Sequence, residues 1–82
     1  GARKSLEESL QTSRHLAAAE PDSPKAQRGV AVSLWLLARQ PRSGVSWREV
    51  AQAWDAMESR GIVSAADQRF VNEARRLAAQ EP

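Results

Sequence analysis

Apolar residues recur along this chain at the spacing of α-helices in four separate segments. Strand-like alternation of apolar and polar residues is missing, and β-branched residues are few. Alanine, leucine, glutamate, glutamine and arginine, which are all good helix formers, dominate the sequence. We therefore predict an all-α fold, with residues 1–82 forming a single helical domain or a fragment of a repeating one.

The first two predicted helices span about Ser5–Ala19 and Pro24–Gln40. A capping box at Ser5 to Glu8 is expected to start the first helix, with a start further upstream as the alternative. The thin apolar stripe of this helix needs a neighbouring helix to cover it. Ser23 and the proline after it suit the start of the second helix. This second helix is apolar on almost every side, so we expect it at the centre with helices packed on either side.

The third predicted helix carries the clearest start and stop signals. Ser46 and Glu49 form a capping box, and the valines at positions 45 and 50 form a hydrophobic staple around it. Gly61 suits the left-handed position after the helix, with Ile62 folding back onto Met57. One face of the helix is apolar throughout: Trp47, Val50, Ala51, Trp54 and Met57.

The fourth predicted helix spans about Ala65–Gln80 and is capped by Ser64, with Asp67 three positions later. One side of it is apolar, and the opposite side is polar: Arg69, Asn72, Arg75 and Arg76. The loops between consecutive helices are short, which favours antiparallel neighbours. The predicted architecture is therefore four antiparallel helices, arranged as two helical hairpins.

The three tryptophans differ in their expected surroundings. Trp47 and Trp54 share the apolar face of the third helix, so we place both in the core, with Trp47 the more exposed. Trp35 lies off the main apolar stripe of the second helix. It either packs on another helix or borders a groove, and it is our first choice for an exposed contact residue.

The composition excludes several classes of chemistry. Cysteine is absent, so disulfides, thiol nucleophiles and thiolate metal sites are excluded, and a reducing, cytoplasmic location is expected. The net charge of +2 is small for a nucleic-acid-binding protein. No signal peptide is visible, and no apolar run reaches the roughly 20 residues needed to span a membrane.

No constellation of catalytic or metal-binding residues is apparent. His15 is the single histidine and is expected to be solvated, which makes a metal site improbable. Glu7 and Glu8 are better explained by helix capping than by acid–base catalysis. The four glycines form no phosphate-binding loop. We predict that the chain is not an enzyme and uses no cofactor.

Three arginines, Arg39, Arg42 and Arg48, surround the predicted turn between the second and third helices. They are either ordinary solvated side chains or a cationic rim that orients an acidic partner. The second helix has more apolar residues than two neighbouring helices can cover, which leaves Trp35 or Leu36 exposed. These two residues and the three arginines are the predicted protein-binding residues.

Residues 6–34 resemble tetratricopeptide-type repeats of large bacterial multi-repeat proteins. The resemblance rests on Leu16–Asp22, where a leucine-alanine-rich helix end precedes Glu-Pro-Asp, and on Gln27–Arg28 and Val32–Leu34 in the next helix. It implies that residues 1–82 are a helical-repeat domain or the C-terminal fragment of a larger repeat protein. In either case the second and third helices form one repeat and the fourth is a terminal cap. The resemblance also implies a scaffold whose binding surface lies on the second helix.

We therefore expect a protein–protein interaction module. Its partner is a protein or peptide, the rest of a larger repeat protein, or a second copy of the chain. One alternative is a helix-turn-helix domain in which Arg69, Arg75 and Arg76 of the fourth helix contact DNA, and another is a purely structural or oligomerisation cap.

Overall fold

The computed structural model describes residues 2–81, and these form an all-α fold, as predicted. No β-strand occurs within that range. A single 3₁₀ turn, Ala65–Asp67, lies directly before the last helix. The four α-helices are α1 (Ala2–Ala19), α2 (Pro24–Ala38), α3 (Trp47–Ser59) and α4 (Gln68–Ala79).

The helices pack in chain order. Helix α1 packs on α2, α2 packs on α3, and α3 packs on α4. Within residues 2–81, α1 makes no helix-to-helix packing with α3 or α4. Helices α2 and α3 therefore each have two helical neighbours, which agrees with the central position predicted for α2.

The predicted start of the first helix at Ser5 is wrong. Helix α1 begins at Ala2, so Ser5 lies inside the helix rather than at its cap. The upstream residues allow this extension because alanine, arginine and lysine are good helix formers. Arg3 also pairs with Glu7 one turn later, at 3.6 Å, which adds modest support to the extra turn.

Serines begin the other three helical segments, as the sequence predicts. The hydroxyl of Ser23 accepts a hydrogen bond from the Ala26 amide at 3.3 Å, and that of Ser46 accepts one from the Glu49 amide at 3.2 Å. Ser64 accepts from the Asp67 amide at 3.2 Å. This last cap starts the 3₁₀ turn, however, so α4 proper begins three residues later than predicted.

Helix α3 ends in the predicted Schellman motif. Gly61 has a φ of 70°, in the left-handed region that glycine adopts without steric cost. The Ile62 amide donates to the Met57 carbonyl at 3.1 Å, and the Gly61 amide donates to the Glu58 carbonyl at 3.0 Å. These are the two bonds that define the motif.

The core is centred on α2 and α3. Trp54 is the largest fully buried side chain, with 1% of its surface exposed, which confirms its predicted place in the core. Trp47 is half-buried, as expected for a residue in the first turn. The buried apolar residues are Leu10, Ala31, Leu34, Leu37, Val50, Ala51, Trp54, Met57, Val71 and Ala74.

A candidate protein-binding groove

A groove of about 230 Å³ is lined by side chains of three helices. Helix α2 provides most of the lining, α3 contributes a tryptophan, and α4 contributes a phenylalanine. We call this feature the α2–α4 groove. Its lining residues are Arg28, Val32, Trp35, Leu36, Arg39, Trp54 and Phe70.

Aromatic rings fix the shape of the groove. The ring of Trp35 packs edge-to-face on Trp47, with centroids 5.2 Å apart, and on Phe70, with centroids 5.6 Å apart. Phe70 also stacks on Trp54 at 6.0 Å, with 17° between the ring planes. Such contacts stabilise aromatic pairs beyond simple area burial. The rings therefore join α2, α3 and α4 into one rigid wall.

The sequence left two possibilities for Trp35, and the structure combines them. Trp35 is half-buried, packs against α3 and α4, and still lines the groove. Leu36 beside it is 37% exposed, which fits the prediction that α2 has more apolar surface than its neighbours cover. One other large apolar residue, Leu16 on α1, is exposed within residues 2–81, and it does not line this groove.

An ion pair between an exposed arginine and a buried aspartate borders the groove and joins two distant parts of the chain. The Arg28 Nε donates to Asp67 Oδ2 at 2.7 Å, and its terminal nitrogen donates to Oδ1 at 3.3 Å. Asp67 is only 7% exposed. The hydrogen bonds from Arg28 hold the pKa of Asp67 below its usual range, although burial opposes that shift. This pair connects α2 to the turn before α4.

Two further hydrogen-bond donors at the groove, one on Arg39 and one on Trp54, have no acceptor among residues 2–81. The Arg39 guanidinium forms no hydrogen bond or ion pair with any residue in the range 2–81. The Trp54 indole Nε1 is buried, and nothing in that range accepts its hydrogen bond. A buried N–H without an acceptor is uncommon in folded proteins.

Of the three arginines in the predicted cationic rim, one lines the groove. Arg39 lines the groove, whereas Arg42 and Arg48 are exposed and lie outside its lining. The Arg42 carbonyl accepts a hydrogen bond from Arg3 at 3.1 Å. At the start of α3, the Trp47 and Arg48 amides both donate to the Glu81 carboxylate at 3.0 Å. A carboxylate from the chain itself thus caps the helix beside these two arginines.

Sequence reasoning missed four of the groove residues: Arg28, Val32, Trp54 and Phe70. Arg28 could have been found from its spacing, because it falls on the same helical face as Val32, Trp35 and Arg39. Phe70 offered no comparable signal. It belongs to the apolar stripe of its own helix, and its contact with Trp35 depends on how the helices pack.

The arginines of the alternative helix-turn-helix interpretation contact other groups of this chain. Arg75 pairs with Asp55 at 2.7 Å and with Glu58 at 2.6 Å. Arg76 pairs with Glu73, one turn away on the same helix. The guanidinium of Arg69 lies over the Phe70 ring, 5.0 Å from its centroid. These pairings reduce the positive charge that α4 presents to solvent.

Three other depressions, of about 440, 490 and 470 Å³, lie along α1, and Leu16 lines two of them. His15 is exposed on α1, as predicted. Residues 2–81 contain no group of three or more histidine or acidic side chains placed to hold a metal ion. No helix in that range has the length and apolar character needed to span a membrane. Comparison with protein-family models, curated proteins and solved structures gives no match.

Proposed function

We propose that this protein is a protein–protein interaction module that binds a segment of its partner in the α2–α4 groove. The observation that carries the proposal is the groove itself. It combines a wall of packed aromatic rings with an exposed leucine and an arginine that has no partner within the described residues. Aromatic and arginine side chains are the residue types that contribute most at protein interfaces.

The chemistry of the lining supports binding rather than catalysis. The groove is lined by aliphatic, aromatic and arginine side chains, with no histidine, hydroxyl or carboxylate among them. General acid–base or nucleophilic catalysis requires at least one such group within reach of the substrate. We therefore propose that the module acts by shape and contact, without a cofactor.

The resemblance of residues 6–34 to tetratricopeptide-type repeats supports the same function. We propose an antiparallel, repeat-like arrangement in which α2 and α3 form one repeat and α4 acts as a cap. The partner would be a polypeptide, which includes other repeats of a larger bacterial scaffold and a second copy of this chain. The lack of cysteine is consistent with a cytoplasmic module.

The ion pairs of α4 favour this proposal over DNA binding. A recognition helix needs side chains that are free to reach base edges and phosphates. Arg75 and Arg76 instead contact carboxylates of this chain, and Arg69 covers a phenylalanine ring. A purely structural cap would not require an exposed leucine beside an arginine that has no partner within residues 2–81.

A peptide-display selection on the immobilised protein tests the proposal, with two leucine variants as a matched pair. Leu36→Glu places a carboxylate in the groove, and Leu16→Glu makes the same change at an exposed site on α1. Both leucines are exposed, at 37% and 49%, so both variants should fold. We expect selected peptides to lose at least about tenfold in affinity for Leu36→Glu and to bind Leu16→Glu normally.

Circular dichroism of both variants provides the folding control. Peptides that bind Leu36→Glu as well as the parent would place the interaction surface elsewhere on the protein. A selection that yields no peptide above background would contradict the proposed function itself.

A further inference from the structure

We infer that the segment bound in the α2–α4 groove is an amphipathic helix with acidic residues flanking its apolar stripe. This inference rests on the proposed function and specifies the chemistry of the partner. Three features of the groove lead to it: the sign of its charges, their spacing along α2, and the all-helical framework around it.

The groove presents one positive charge that no described carboxylate compensates. Arg28 and Arg39 are the charged lining residues, and Arg69 lies over the ring of Phe70, which also lines the groove. Asp67, the acidic group at this border, is already bound by Arg28. The Arg39 guanidinium keeps its donors available for a carboxylate, which is the acceptor that arginine binds most strongly. Charge complementarity therefore favours an acidic partner.

The spacing of the charges matches a short helix. Arg28 and Arg39 are eleven positions apart on α2, or about 16 Å at ~1.5 Å per residue. Val32, Trp35 and Leu36 lie between them on the same side of the helix. A partner helix of about three turns would therefore place apolar side chains at the centre of the groove and a carboxylate near Arg39, while Asp67 already supplies the carboxylate at the Arg28 end.

A helix suits this groove better than an extended peptide. Peptides that bind as strands depend on the open edge of a β-sheet for their backbone hydrogen bonds. Residues 2–81 contain no strand that could provide such an edge. A helix satisfies its own backbone groups and needs only side-chain contacts from the groove walls.

A nucleic acid suits the same charges less well. Single strands bind by stacking their bases on open aromatic faces and by following a continuous basic track. Here the edge of one ring packs on the face of the next within the cluster of Trp35, Trp47 and Phe70. Apolar side chains also separate the two lining arginines, so the track is interrupted.

The test uses two synthetic peptides of about 14 residues that share one amphipathic helical pattern. One carries glutamate at every charged position, and the other carries lysine at the same positions. Binding is followed by the indole N–H resonances of the three tryptophans, because Trp35 and Trp54 line the groove. We expect the glutamate peptide to bind at least about tenfold more tightly and to shift both of these indole signals, with affinity falling as salt is added.

Charge reversal supplies the matched control. Arg39→Glu should abolish or reverse the preference for the glutamate peptide. Arg14→Glu makes the same change in net charge at an exposed position on α1 that does not line the groove, and it should leave the preference unchanged. Because the Arg39 guanidinium is exposed and bonds to no described residue, its reversal should leave the fold intact.

Three results would overturn the inference. Equal binding of the two peptides would mean that the groove selects apolar helices without regard to charge. Binding of neither peptide would exclude an acidic helix of this kind. Displacement of the glutamate peptide by a short DNA or RNA strand of similar charge, with the same indole shifts, would identify the groove as a nucleic-acid site. The proposed function fails separately, when the display selection yields no peptide above background.

Discussion

The α1–α2 and α3–α4 interfaces are both formed by helices adjacent in the chain, but they are built from different side chains. Helix α1 contributes one buried residue, Leu10, and its Leu16 is 49% exposed. At the α3–α4 interface the core contains Trp54, Met57 and Val71, each no more than 2% exposed. Helix α1 therefore adds little buried apolar surface to the first interface, whereas the second holds large side chains with almost no access to solvent.

This difference determines where the groove can form. The groove borders the densely packed half of the molecule, where ring contacts link α2, α3 and α4. A binding surface on rigid elements loses little conformational freedom when the partner binds. Helix α1 contacts only α2 among the helices and is expected to open most readily. Its loss would not remove any residue that lines the groove.

The largest effect on stability is expected for Trp54→Ala. Removal of this buried ring should lower the free energy of unfolding by about 3–5 kcal/mol, which is enough to unfold so small a domain. Urea titration followed by circular dichroism measures the loss. A variant that melts within a degree or two of the parent would show that Trp54 does not hold the core together.

Leu10→Ala is the matched change at the other interface. Because Leu10 lies on a helix with one helical neighbour, we expect a loss near the lower end of the range for buried leucine, about 2 kcal/mol. Losses of equal size for the two variants would contradict the contrast between the interfaces.

A smaller effect is expected at the Arg28–Asp67 pair, which connects α2 to the turn before α4. Asp67→Asn should cost about 1–2 kcal/mol at pH 7, a value reduced because the Arg28 side chain is 49% exposed. The pKa of Asp67 is lower in the folded state than in the unfolded state. The contribution of its carboxylate to folding stability is therefore complete above the unfolded-state pKa of Asp67. It declines as the pH falls below about 4 and through the folded pKa.

Urea titrations at neutral and acidic pH test the direction of this pH dependence. The stability difference between the parent and Asp67→Asn should shrink as the pH is lowered. Asp22→Asn, at an exposed position in the α1–α2 loop, serves as the control and should follow the parent at every pH. A difference that stays constant down to about pH 2 would show that the charge of Asp67 is not the stabilising feature.

Sequence reasoning identified features that depend on neighbouring residues. The serine caps and the glycine stop after α3 are local, and so is the apolar face that buries Trp54. Sequence reasoning placed the start of α1 too late, because a Ser-x-x-Glu pattern cannot show whether good helix formers upstream extend the helix. Asp67 matched a capping position, but its carboxylate pairs with Arg28, 39 residues away.

The groove was predictable only in part for the same reason. Trp35, Leu36 and Arg39 share one exposed face of α2, so their proximity follows from helical spacing. Arg42 and Arg48 are close to them in sequence, yet the chain has left α2 before either residue. The contribution of Phe70 depends on tertiary packing between α2 and α4, which no local pattern encodes.

The smallest effect on stability is expected for Gly29→Ala, a variant that tests how closely α1 approaches α2. Gly29 lies in α2, and a Cβ at this position would sit 3.2 Å from the Ser13 hydroxyl oxygen of α1. Alanine is favoured over glycine inside a helix by about 0.8–1 kcal/mol. The crowding costs less than this gain, because the hydroxyl is the end of a side chain that can rotate away. We therefore expect Gly29→Ala to raise the free energy of unfolding by about 0.5 kcal/mol.

Gly61→Ala is the matched opposite case, because its φ of 70° is unfavourable for alanine and should cost about 1 kcal/mol. Urea titration of both variants, with Ser13→Ala/Gly29→Ala added to remove the crowded oxygen, separates helix propensity from crowding. If Gly29→Ala lost more than about 1 kcal/mol and Ser13→Ala restored it, the serine–glycine contact would be tightly fitted. The α1–α2 interface would then tolerate changes in side-chain size as poorly as the α3–α4 interface, despite its smaller side chains.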